Sequence, residues 1–157
     1  MTHGKPALDP LSLPGHKGTG YPAEYAGQIV DREKRALGDA FGLTQFGVNL
    51  THLPPGEISS QRHWHLNEDE FVYILDGELT LVTDDGETTM TSGMVAGFPA
   101  GVENGHQLIN KSNRMAVFLE VGTRADADEG HYPDCDMRAS KQPGKGYVFT
   151  RKDGSAF

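Results

Sequence analysis

Two histidines one residue apart, His63 and His65, sit in the stretch SQRHWHLNEDEFVYILDGE (60–78), and Glu70 follows five positions after the second. On a strand, side chains alternate, so both imidazoles point to one face and Trp64 to the other. Two neutral imidazoles turned into one interior are costly to bury without partners, and a metal ion is the natural partner. Glu70, on the strand that starts after the short loop LNED, can bring a carboxylate to the same point. His106, in GMVAGFPAGVENGHQLIN (93–110), follows a Gly-rich turn with Pro99 and Gly101 and supplies a third imidazole. Three imidazoles and one carboxylate form a mixed N/O set that suits one divalent transition metal, Fe(II), Mn(II), Ni(II), Co(II) or Zn(II), and does not choose among them. The plain alternative is four hydrogen-bonded polar groups in a core.

The same alternation extends the site. With His63 and His65 inward, so is Gln61. With Glu70 inward, Val72 and Ile74 become apolar walls. Asn104 shares the side of His106, and Phe98 stands at the mouth. Gln61, Phe98, Asn104, Val72 and Ile74 are therefore the substrate-binding candidates. Trp64 and Tyr73 are assigned to packing, Cys135 to an inert buried thiol and His131 to the surface. The run DADE (126–129) is read as solvated, and His3, His16 and His52 carry no pattern. No general base stands out.

Strands must position these groups. From 43 to 121, short apolar segments alternate with turn residues at roughly 8–12-residue spacing, which predicts a sandwich or barrel. LTQFGVNLTHL puts Phe46, Val48 and Leu50 on one face. FVYIL runs to the turn DG (76–77), and ELTLVT meets DDG (84–86), a hairpin signal. DREKRALGDAF reads equally as a short helix or a strand–turn. The expected division is an N-terminal arm and edge-strand segment (1–42), a barrel (43–122) and a polar C-terminal extension wrapped over the core (123–157).

The chain has 157 residues, enough for one domain with tails. Its mean hydropathy of −0.50 fits a soluble protein. No apolar run approaches the ~20 residues of a membrane span, and the N-terminus lacks the apolar region of a signal peptide, so a cytoplasmic location and no membrane partner are expected. The single cysteine excludes a disulfide framework. A net charge of −8 repels phosphate backbones, so nucleic acid is not an expected partner. Between Arg35 and Lys111 the only Lys or Arg is Arg62, on the face opposite His63. The barrel thus lacks clamps for a phosphate, and a neutral hydroxylated ligand fits better unless Lys141, Lys145 or Arg151 reaches in.

The two motifs resemble those of the cupin superfamily. The first runs Gly56, six residues, His63-x-His65, four residues, Glu70, six residues, Gly77. The second runs Gly93, five residues, Pro99-x-Gly101, four residues, His106, three residues, Asn110. The gaps before His63 and before His106 are longer than usual, and neither touches a ligand. The resemblance covers about residues 43–121. It implies an all-β double-stranded β-helix, a jelly-roll-like barrel with N- and C-terminal extensions. It also implies a metal held by His63, His65, Glu70 and His106, and a homodimer. The tail HYPDCDMRASKQPGKGYVFTRKDGSAF resembles a bacterial group of small cupins labelled sugar-phosphate isomerases by analogy of fold. The reading is a metal-dependent enzyme acting on a small sugar, sugar phosphate or other hydroxylated or carbonyl substrate. An Fe(II)-dependent dioxygenase and a non-enzymatic small-molecule binding or sensing module are the alternatives.

Overall fold

The computed structural model describes residues 6–157; residues 1–5 of the expected arm, His3 among them, lie outside the described residues. The elements run β1 (His16–Lys17), α1 (Ala23–Ala26), β2 (Glu33–Ala36), α2 (Leu37–Ala40), β3 (Phe46–Leu53), β4 (Trp64–His65) and β5 (Glu70–Asp76). There follow β6 (Glu78–Thr83), β7 (Gly86–Thr91), β8 (Val95–Phe98), β9 (Gln107–Ile109) and β10 (Ala116–Thr123), then β11 (Asp128–His131), β12 (Arg138–Lys141) and β13 (Tyr147–Thr150). A six-stranded sheet has the order β1-β2-β3-β10-β5-β8, a three-stranded sheet β7-β6-β9, and a four-stranded sheet β13-β12-β11-β4.

The first two sheets face each other across one core. Leu53, Val72, Ile74, Ala116 and Phe118 come from the larger sheet, and Leu79, Met90 and Leu108 from the smaller. β5 shows the period of two: Val72 and Ile74 are buried while Phe71, Tyr73 and Leu75 are exposed. β3 obeys it with a twist. Phe46, Val48 and Leu50 do share a face, but it is the outer one, because Gly47 and Asn49 line an interior cavity while Thr51 and Leu53 are fully buried. The inner face of β3 is polar where the barrel holds a cavity rather than packed side chains.

The DDG signal gives the β6–β7 hairpin, with Thr83 opposite Gly86. The DG at 76–77 does not make a hairpin, because β5 and β6 belong to different sheets. It is a corner. Gly77 has φ +82°, and a Cβ there would lie 2.9 Å from Ala116 Cα and from Met115 O, so both conformation and space demand glycine.

Segment 22–41 contains both readings: one-turn helices α1 and α2 flank β2, which pairs with β3. Glu57 ties this segment to the barrel by accepting the N–H groups of Val30, Asp31 and Arg32 at 3.2, 2.8 and 2.8 Å.

The C-terminal extension is more than a polar wrapping. It forms β11, β12 and β13, and β11 pairs with β4, Gly130 opposite His65 and His131 opposite Trp64. Beneath it lies a second apolar cluster of Tyr132, Met137 and Ala139, packed on Tyr21, Tyr25, Tyr147 and Phe149. Tyr147 and Phe149 belong to that cluster while Val148 is exposed. That alternation lasts only four residues amid Gly and Pro, too short to announce a strand. Cys135 is half-buried against the cluster, and burial pushes its thiol up.

Candidate metal centre

His63 and His106 are joined by the backbone before their side chains meet. His63 N donates to His106 O (3.1 Å) and His106 N to His63 O (2.8 Å), an antiparallel bridge between two loops. β4 carries His65 beside them, and β5 opens with Glu70, whose partner in β8 is Phe98. The three Nε2 atoms converge on one carboxylate oxygen. Glu70 Oε2 lies 2.6 Å from His106, 3.5 Å from His63 and 3.7 Å from His65. His63, Glu70 and His106 offer donor atoms within 4.8 Å of one another, and His65 does so with Glu68 and Asp128.

The hydrogen bonds fix the tautomers. His63 Nδ1 lies 2.8 Å from the carbonyl of Gln61, which can only accept, so Nδ1 carries the hydrogen. His65 Nδ1 donates likewise to Asp128 Oδ2 at 2.5 Å. In the neutral rings both Nε2 atoms are then bare lone pairs aimed at an anionic oxygen. His106 adds a buried Nδ1 with no partner, leaving Nε2 as its productive atom. Lone pairs gathered so closely repel unless a cation or shared protons lie among them, so the donor set fits a divalent ion.

Charge follows the same geometry. Burial would raise the Glu70 carboxyl, but the His106 hydrogen bond and the imidazoles gathered around it hold it well below its ordinary range. Burial would lower His65, and the Asp128 hydrogen bond with the Glu70 charge carries it upward instead. Burial lowers His106 despite Glu70. Asp128, against the pull of burial, is brought down to about 2 by His65, the Asn67 N–H and Tyr147.

A cavity of about 450 Å³ opens onto Glu70 and all three histidines, and a second of about 240 Å³ onto His65, Glu70 and His106. Three of the five substrate-binding candidates line them. Phe98 lines both and stacks on His106 (centroids 3.6 Å, planes 3° apart). Val72 lines the larger cavity and Asn104 the smaller, where Asn104 also accepts from Asp84 N and donates to Asp85. Ile74 lines neither: two positions along β5 from Val72, it is fully buried in the core. Gln61 does not face the cavity either. It precedes the regular strand, so alternation fails there, and its Nε2 donates to Tyr25 O (2.9 Å). Trp64 stacks on His131 at 4.2 Å.

Sequence reasoning missed the residues that surround the imidazoles. Asp128 belongs to the run taken as solvated, yet it is 2% exposed and orients His65. The Tyr147 hydroxyl lies 2.7 Å from Asp128 Oδ2 and 2.9 Å from Glu68 Oε2, and Lys141 donates to Glu68 Oε1 at 2.7 Å. Tyr132 stacks on His63 (5.6 Å). Of the three tail cations considered, Lys141 lines the larger cavity, Arg151 pairs with Glu24, and Lys145 lines no cavity described.

A double-stranded β-helix with three imidazoles and a glutamate inside the barrel defines a class, and sequence comparison agrees with it. The family model described as Cupin domain matches residues 49–122. A crystal structure from Silicibacter pomeroyi, described as a sugar phosphate isomerase from a cupin superfamily, is 47% identical over 97% of this chain and 96% of its own, with a TM-score of 0.92. A protein from Acidithiobacillus ferrooxidans, provisionally named a sugar phosphate isomerase, is 31% identical over 78% of each chain, with a TM-score of 0.72. One from Thermotoga maritima, named a predicted oxalate decarboxylase, shares the fold at 21% identity, 76% and 99% coverage and a TM-score of 0.62. No curated protein matches the chain. This chain belongs to the cupin superfamily.

Proposed function

We propose that the protein is a metal-dependent isomerase of a small hydroxylated carbonyl compound, a sugar or sugar phosphate. The observation that carries this reading is the pair of bare Nε2 atoms on His63 and His65, facing Glu70 Oε2 beside His106 in the wall of the larger cavity. His63, His65, Glu70 and His106 would hold one divalent ion, which when bound polarises a carbonyl or hydroxyl oxygen. Asp128 keeps His65 in the ligating tautomer, and the Gln61 carbonyl does so for His63. Moving a proton between adjacent carbons needs a base within the same cavity. Glu68 is the candidate. It lines that cavity, its carboxylate is within 4.8 Å of donor atoms of His65 and Asp128, and Lys141 and Tyr147 hold its two oxygens. The names of the two sugar phosphate isomerase relatives support the substrate class. The homodimer and the cytoplasmic location expected above belong to the same reading; sedimentation equilibrium reads one or two chains. No described helix is long and apolar enough to cross a membrane.

The test is elemental analysis of protein purified without chelators, with oxygen uptake and solvent-deuterium exchange into sugar phosphates followed on the same sample. About one manganese, nickel, cobalt or zinc per chain, exchange at the carbon beside the carbonyl, and no oxygen uptake are expected. Iron with oxygen uptake would replace this reading by the dioxygenase. Metal with neither exchange nor uptake would leave a binding module. Absence of metal after reconstitution would remove the centre itself.

A further inference from the structure

We propose that the larger cavity contains an anion-recognition site built on Arg32 and Lys34, so that the ligand carries a phosphate monoester or a group of the same charge and shape. This deepens the isomerase reading and rests on it for the meaning of the ligand, but the anion site is measurable by itself.

Arg32 is a buried guanidinium, 8% exposed, in the wall of the cavity that holds the imidazoles. Both of its hydrogen bonds go to neutral backbone carbonyls, one to Ser59 O and one to Gly18 O at 2.6 Å. Its Nε is buried with no partner. Among the described residues, no carboxylate comes within 4.0 Å of it. Arginine offers five N–H groups, so three remain undonated. Buried charges are ordinarily paired, because taking one out of water without a counter-ion is expensive. Burial pulls the Arg32 pKa down, and the charges of Glu120, Tyr21 and Glu57 offset only part of this.

The neighbouring cations do not share this condition. Lys141 pairs with Glu68 at 2.7 Å, Arg124 with Asp39, and the barrel's Arg62 turns to Asp134 and Asp84. Lys34 stands two positions from Arg32 and lines the same cavity, while Glu33 and Arg35 between and beyond them pair with each other at 2.6 Å. Lys34 pairs with Glu120 across the cavity wall at 2.7 Å. One guanidinium without a contact counter-ion, beside one ammonium held by a single carboxylate, leaves positive charge in excess on this wall. A guanidinium fork matches two oxygens of a phosphate, and the ammonium adds a point charge.

Arg32 and the centre are joined by a short piece of chain. Ser59, whose carbonyl Arg32 holds, is four residues before His63, and Ser60 Oγ lies 3.3 Å from His63 Nδ1. One cavity of about 450 Å³ therefore spans both groups, and its volume suits a molecule of several carbons with its anion at Arg32 and its hydroxyls toward the imidazoles. The shortage of barrel cations that argued against a phosphate is made good from outside residues 43–122.

The experiment is calorimetric titration with glucose 6-phosphate, inorganic phosphate and glucose, with metal content read on every sample. Expected are saturable binding of the two phosphates and at least about tenfold weaker binding of glucose. Lys34→Gln and Arg32→Lys should each weaken glucose 6-phosphate by about tenfold at unchanged metal content. Glu120→Gln, which frees Lys34 from its carboxylate, should tighten it several-fold, a gain that damage to the fold does not produce. Arg32 also braces Gly18 and Ser59, so if Arg32→Lys fails to fold, Lys34→Gln and Glu120→Gln decide. Equal affinity for glucose and glucose 6-phosphate, or wild-type affinity in both Lys34→Gln and Glu120→Gln, overturns the proposal. Phosphate binding to protein without metal sustains it while the metal reading fails. Metal without phosphate preference does the reverse.

Discussion

His65 illustrates how much of the centre depends on a single contact. Its Nε2 can face Glu70 as a lone pair only while Nδ1 donates to Asp128. Removal of a ligand should release the metal. His65→Ala or His106→Ala is expected to cut metal occupancy sharply, by elemental analysis, and to lower the thermal midpoint; full occupancy in both would overturn the ligand assignment. The Asp128–His65 pair also makes a pH prediction for chelator-stripped protein. Asp128 falls from 3.8 to about 2, so its contribution is present above 3.8 and is lost as pH falls toward 2. His65 is raised above 6.5, so its contribution is complete below 6.5 and is lost as pH rises through the raised value. The stability deficit of Asp128→Asn in urea titrations should therefore be largest between 3.8 and 6.5 and shrink on both sides. A deficit independent of pH would show that the pair does not titrate as argued.

At the scale of elements, His65 and Glu70 stand on strands while His63 and His106 sit in loops that other elements brace. Asn110, the last residue of the second motif, is fully buried. Its amide donates to Leu53 O and Arg114 O at 2.7 Å each, and its oxygen accepts from Ser112 N and Oγ. Asn110→Ala should cost about 1–3 kcal/mol in chemical denaturation, because the buried Leu53 carbonyl loses its donor. The C-terminal sheet is braced by Met137, also fully buried. Met137→Ala should cost about 2–5 kcal/mol. Because β11 carries Asp128, it should weaken metal binding too, which a purely peripheral sheet would not do. The β6–β7 hairpin was legible beforehand, since its turn chemistry lies within a few residues. The β11–β13 sheet was not, because its alternation is short and its pairing partner, β4, lies more than sixty residues earlier.

Across the whole molecule, metal binding and folding are linked. An ion at a hundredfold excess over its Kd adds about 2.7 kcal/mol to the native state. For a domain of this size that is on the order of 5–10 °C. Chelation should lower the thermal midpoint by that order and re-addition should restore it; an unchanged midpoint would argue against a structural stake in the metal. The chain is acidic, with net charge −8, yet its larger cavity sets Arg32, Lys34, Arg124 and Lys141 against only Glu68, Glu70 and Glu120.

The spacing of His63, His65, Glu70 and His106 is decided by sequence, because strand alternation and turn residues act over a few positions. So are the β-rich barrel and the sites of its tight turns. Gln61 shows the limit: alternation extrapolated three residues beyond a strand of two residues turned it the wrong way. Asp128 on His65, Tyr132 on His63, Lys141 and Tyr147 on Glu68, and Arg32 in the cavity wall were decided only by tertiary structure. Each of these contacts joins residues tens of positions apart. Their partners are chosen by which strands pair and which side chains share a buried space, and no local pattern of residue types records that choice.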